Sequence, residues 1–173
     1  MNETKKKRRN KILIILLLII TIAAIGVSIW AIWFRTPAAN PADYAPQQVD
    51  QNAEPIDGDD GDKLEQPEGG GAVSLTYSKE VTLDLAAKEA AILFQNPSKS
   101  NQDMALQLVI YGKVIAQSEK LPPGYKLNKL TGVDTDKLTV GAYEGKFVIL
   151  YYNADSGEKA IINTEIPVTI TVK

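Results

Sequence analysis

Apolar positions fall into two patterns along this chain. From Ile12 to Phe34 the sequence reads ILIILLLIITIAAIGVSIWAIWF, 23 residues without a charge. From Val73 onward, short runs rich in Val, Ile, Thr and Tyr follow one another: VSLTY (73–77), VTLDL (81–85), AAILFQ (90–95), MALQLVIY (104–111), KVIAQ (113–117), YKLNKL (125–130), GKFVILYY (145–152) and IPVTITV (166–172). Several alternate with period two, and turn residues separate them: Asn96-Pro97-Ser98, Tyr111-Gly112, Pro122-Pro123-Gly124, Thr131-Gly132 and Asp155-Ser156-Gly157. Short alternating strands at this spacing predict an all-β sandwich or barrel over 73–173. One stretch, LAAKEAA at 85–91, reads as helical but runs into a strand pattern.

The first pattern has a different meaning. A 23-residue helix spans about 35 Å, enough for a hydrocarbon layer of about 30 Å. Trp30, Trp33 and Phe34 fall at one end, where amphipathic rings favour the headgroup layer. Six cations precede the stretch within residues 1–11, against Glu3 alone. That bias predicts a single-pass membrane helix over 12–34, a cytoplasmic basic tail over 1–11, and an extracellular remainder. The rival, a cleaved signal peptide, calls for a shorter apolar run of about 7–15 residues and a small-residue cleavage site. This run is longer and ends in aromatics and Arg35.

Between the two patterns, residues 35–72 carry nine acids against Arg35 and Lys63, with five prolines, a Gly triplet and one aromatic, Tyr44. So little apolar surface cannot offset ordering entropy, so this stretch is expected to be a disordered tether averaging about 34 Å end to end. Asp57-Gly58-Asp59-Asp60-Gly61-Asp62 resembles a calcium loop, but Gly61 and Asp62 fall where an EF-hand needs a ligand and a glycine. No metal or other cofactor is expected.

The 173-residue chain has a net charge of −2 and contains neither Cys nor His. Disulfides, thiolate nucleophiles, Cys or His zinc sites and a Ser-His-Asp triad are therefore excluded. Residues 73–173 carry eleven charges of each sign, which argues against a nucleic-acid partner. Ser156-Gly157-Glu158-Lys159 matches Ser-x-x-Lys, but the Ser-Asp-Asn and Lys-Thr-Gly partners of that nucleophile are missing. Asp134 and Asp136 read as surface charge. Leu121-Pro122-Pro123-Gly124 resembles a wall-sorting signal, yet no Thr precedes the Gly and strands follow it. It reads instead as a strand end, with Pro123-Gly124 at the centre of a type II turn.

Leu138-Thr139-Val140-Gly141-Ala142-Tyr143-Glu144-Gly145 leads into the strongest strand. Immunoglobulin-like domains place a Tyr at the start of strand F, its hydroxyl reaching back to upstream backbone, and Tyr143 fits that tyrosine corner. If Phe147, Ile149 and Tyr151 point inward, then Val148, Leu150 and Tyr152 point outward. Likewise Gln107, Val109 and Tyr111 point outward on the 104–111 strand. In immunoglobulin topology these two strands are neighbours. Gln107, Val109, Tyr111, Val148, Leu150 and Tyr152 thus form the candidate binding face.

Several blocks, among them Phe94-Gln95-Asn96-Pro97-Ser98, Leu121-Pro122-Pro123-Gly124-Tyr125, Gly141-Ala142-Tyr143-Glu144-Gly145-Lys146, Gly157-Glu158-Lys159-Ala160 and Asn163-Thr164-Glu165-Ile166-Pro167, resemble a family of small membrane-anchored proteins of Gram-positive bacteria. The resemblance covers residues 73–173. It implies an extracellular immunoglobulin-like β-sandwich and no catalytic residues. The function expected is a non-catalytic module for a surface protein or cell-wall partner. An accessory or weakly active surface hydrolase is the alternative.

Overall fold

The computed structural model describes residues 15–21, 44–68 and 70–173. The chain divides into two units, Met1–Asn40 and Pro41–Lys173. In the first, residues 15–21 are helical, and Thr21 donates back to the Leu17 carbonyl at 2.9 Å. The rest of the 12–34 stretch lies outside the described residues, as does the 1–11 tail. Among the described residues no helix is long and apolar enough to cross a membrane.

The second unit is all β. Its strands are β1 (Ala53–Pro55), β2 (Thr76–Tyr77), β3 (Glu80–Asp84), β4 (Glu89–Asn96), β5 (Gln102–Ile110), β6 (Lys113–Gln117), β7 (Tyr125–Thr131), β8 (Gly141–Asn153) and β9 (Thr164–Val172). They form one continuous sheet in the order β1-β7-β4-β3-β9-β8-β5-β6, with β2 added on β4. Neighbours are antiparallel except β3 and β9, which run parallel.

This sheet folds over on itself. Phe94 of β4 meets Phe147 of β8 edge-on, ring centres 6.3 Å apart, although the ladder separates those strands by β3 and β9. Much of the core between the layers comes from alternate residues of five strands: Val81 and Leu83; Ala90, Ile92 and Phe94; Met104, Leu106, Leu108 and Ile110; Phe147, Ile149 and Tyr151; Ile166, Val168, Ile170 and Val172. The period-two pattern was therefore a true guide to facing.

Local chemistry revises one expected element. LAAKEAA is not helical. Asp84 accepts hydrogen bonds from the main-chain N–H of Ala86 and Ala87, both 2.9 Å, and the chain turns there and enters β4. A side-chain oxygen that satisfies local N–H groups competes with the helix. Asn153 does the same for Asp155 and Ser156, so Ser156 sits in a turn as expected, while Lys159 of the Ser-x-x-Lys run bridges Tyr152. Leu121-Pro122-Pro123-Gly124 is a strand end, as expected: Leu121 exchanges backbone bonds with Met104, and Gly124 has φ of +86°.

The larger correction concerns residues 35–72. From Tyr44 on, this stretch is not a free tether. Tyr44 bridges to Glu158, Val49 bridges to Lys120, and β1 pairs with β7 at Ala53–Leu127, Glu54–Lys126 and Pro55–Tyr125. Asp50 is buried, its carboxylate accepting N–H groups from Asn52 (2.8 Å) and Glu119 (2.9 Å). Asp59 takes the N–H (2.5 Å) and hydroxyl (3.0 Å) of Ser98. Lys63 donates to the Ser100 carbonyl at 2.7 Å. Polar groups that an average composition counts as solvated are here the contacts that hold the segment down. The folded unit thus begins before residue 73. Among the described residues, no three acidic groups converge to hold a metal ion.

Candidate functional site

The expected neighbours are neighbours. β5 pairs with β8 from Gln102–Asn153 to Ile110–Gly145, which sets Val109 beside Lys146, Gln107 beside Val148 and Ala105 beside Leu150. The expected parity also holds, because Phe147, Ile149 and Tyr151 belong to the inter-layer core.

Exposure is where the structure departs from the expected face. Leu150 and Tyr152 are both buried, and with Ala45 and Ala105 they form a second, smaller core against which Val148 packs. The lid is the chain's own segment 44–50, anchored by the Ala45 N–H on the Gly157 carbonyl (2.8 Å) and by Asp50 N–H on the Lys120 carbonyl (2.9 Å). Leu150 and Tyr152 are therefore not available to a partner. Gln107 is half-buried and donates to Gln117 at 2.7 Å. Val109 is buried too. Burial pushes the phenol of Tyr152 up from its ordinary value.

One residue of the predicted set is fully presented. Tyr111 is 85% exposed. With Gly112 it forms the two-residue connection between Ile110 and Lys113, which pair with each other, and both residues have positive φ (+51° and +75°). That is the backbone of a type I′ hairpin turn, for which Asn-Gly is the favoured pair. A tyrosine held there carries strain of order 1 kcal/mol. Its ring stands edge-on to Tyr143, centres 6.0 Å apart. Below it lies a groove of about 420 Å³ lined by Val109, Tyr111, Glu144, Lys146, Glu165 and Pro167. Lys146 bridges Glu165 at 2.7 Å on its rim.

Tyr143 makes the back-bond that a tyrosine corner requires. Its hydroxyl donates to the Thr139 carbonyl and accepts the Thr139 N–H, both at 3.0 Å. The Thr139 side chain, then its main chain, holds the phenol below its ordinary value. The ring is thereby fixed as a wall for Tyr111.

Sequence reasoning missed the covering segment. Its one legible signal was Asp50-Gln51-Asn52, an Asx-turn pattern that sits poorly in a free coil. It also passed over Asp103, which is buried opposite Tyr152, with Lys120 at 3.8 Å. Burial raises its carboxyl above the ordinary 3.8; Lys120 and Lys63 partly oppose this. The folded state then holds an extra proton in the window just above pH 3.8, so stability falls as pH rises through it. At neutral pH the full cost is present. Asp103→Asn is expected to raise the melting temperature at pH 7. That gain should close as thermal melts are taken below about pH 4.

No family model matches the chain, and no curated protein matches it. Among solved structures similar to it at low scores are the following two. One is AggA, the major subunit of aggregative adherence fimbriae type I from Escherichia coli: 11% identity, TM-score 0.33, 64% of this chain and 100% of that one. The other is the CooA pilin subunit from enterotoxigenic Escherichia coli: 16% identity, TM-score 0.25, 58% of this chain and 98% of that one. Likenesses this distant carry no argument about role.

Proposed function

We propose that this chain is a membrane-tethered extracellular module of immunoglobulin-like type. It binds a surface protein or a cell-wall component through the Tyr111 groove and is not an enzyme. The fold assignment rests on strand order. β4 and β7 pair in one layer, β9-β8-β5-β6 form the other, and β3 runs parallel to the last strand between them. Strands B and E on one side and G, F and C on the other are arranged in the same way in immunoglobulin domains. The anchor rests on the 12–34 stretch and the cations before it, which set the N-terminus in the cytoplasm.

The observation that carries the binding role is Tyr111, exposed and strained at the mouth of a groove with mixed apolar and charged walls. Strain of this kind clusters at functional positions, and tyrosine is enriched where partners bind. Tethering would confine the groove to a shell above the membrane and raise its effective concentration toward partners there.

Tyr111→Asn separates binding from folding. The turn loses strain of about 1 kcal/mol, and the lost edge contact with Tyr143 costs about 0.5–1.5 kcal/mol. The melting temperature should therefore barely move. Partner capture by a photoreactive residue at Lys146 in intact cells should fall about 30-fold, the loss of a hot-spot side chain worth about 2 kcal/mol. Equal capture by the variant would refute the groove as the binding site.

A further inference from the structure

Ile161 is 100% exposed and Ile162 is 74% exposed. Two adjacent branched apolar side chains in open solvent are unusual, and turn geometry does not require them. They follow Glu158 and Lys159, which fold back on the end of β8: Tyr152 bridges Lys159, and the Ala160 N–H donates to the Tyr151 carbonyl at 2.8 Å. Tyr44, 58% exposed, bridges Glu158 from the other side. The exposed isoleucines and the point where the chain joins the folded unit therefore occupy one corner of it.

Chain length supplies the occupant. Nine residues, 35–43, separate the apolar 12–34 stretch from Tyr44. Fully extended they reach about 30 Å, and as a coil about half that. With 12–34 in a bilayer, as proposed above, the corner bearing Tyr44, Ile161 and Ile162 is held near the headgroups. An aromatic ring and branched aliphatic side chains are the groups that settle at the hydrocarbon boundary. We infer that Ile161 and Ile162, with Tyr44, form a lipid-contacting foot that stands the folded unit on the membrane. This rests on the membrane-anchor reading but goes beyond it, since an anchor alone requires no second contact.

The pair is flanked by Glu158 and Lys159, one charge of each sign, with Asp155 in the adjoining turn. The contact is therefore apolar in origin, and neutral phosphatidylcholine should support it. The foot also fixes an orientation. The Tyr111 groove adjoins Gly145, eight residues back along β8 from Asn153, or roughly 27 Å away from the foot. Standing on Ile161 and Ile162 directs the groove outward.

The absence of cysteine makes the test direct. Full-length chain carrying Ile161→Cys, labelled with an environment-sensitive dye, is reconstituted into phosphatidylcholine vesicles containing spin-labelled lipid. Val140→Cys is the control: 74% exposed and apolar, but next to Gly141 at the opposite end of β8. The expected result is a blue shift and quenching at 161 and neither at 140. If the protein floats with the vesicles but 161 reports water, the foot is refuted and the anchor stands. If the protein fails to float with the vesicles, both are refuted. Equal shifts at the two positions, or a shift at 161 that grows with protein density, would show association between copies and would also overturn the foot.

Discussion

A chain started at Val73 will melt about 10–20 °C below one started at Pro41 and will bind hydrophobic dyes that the longer chain excludes. The shorter start removes Ala45 from above Leu150 and Tyr152 and strips β1 from the edge of β7. Exposing two large side chains costs about 1.5–3 kcal/mol each. The Glu119 N–H loses its carboxylate acceptor on Asp50, and Ser98 loses Asp59. At a few degrees per kcal/mol for a domain of this size, these losses sum to the stated drop. Calorimetry of the two chains side by side checks it. Equal melting temperatures would mean that the segment lies on the surface without stabilising it.

Gly145→Ala is expected to cost about 1–3 kcal/mol, the usual range for overpacking a closed interior. A methyl added there would lie 2.5 Å from Ile170 Cδ1 and 2.8 Å from the Val109 carbonyl oxygen. Ile170 is fully buried, so its side chain can shift only by disturbing the core around it. The carbonyl belongs to the β5–β8 ladder, and moving it disturbs the pairing of Val109 with Lys146. Urea denaturation should show a lower midpoint with an unchanged slope. Gly157→Ala is not an equivalent control, because its φ of +72° brings backbone strain of its own.

β3, β4, β5, β8 and β9 were readable because each alternates against one shared interior. β9 shows this most cleanly, with Ile166, Val168, Ile170 and Val172 buried and the residues between them exposed. The β5–β8 neighbour relation followed once Tyr143 suggested which strand was which. β1 was not readable, since Ala53-Glu54-Pro55 has no apolar period and is a strand only because the β7 edge offers it partners. The same cause undid half of the predicted face. Parity correctly placed Leu150 and Tyr152 on the outer side, but an outer side is exposed only if nothing lies over it. The covering residues were hidden in a stretch whose Pro and acid content suggested a coil. Tyr111 survived because a turn tip is hard to cover.

The position of β9 has a consequence for the order in which the fold closes. It is the last of these nine strands in chain order, yet it lies in the middle of the sheet, bonded to β3 on one side and β8 on the other. Until it arrives, β3 is separated from β8, and the two layers share no ladder to close the fold. Contacts between residues as far apart as Glu80 and Thr169 form slowly and only once β9 is present. A chain synthesised N-terminus first thus stays pliable through β8 and becomes rigid only when β9 joins β3 to β8.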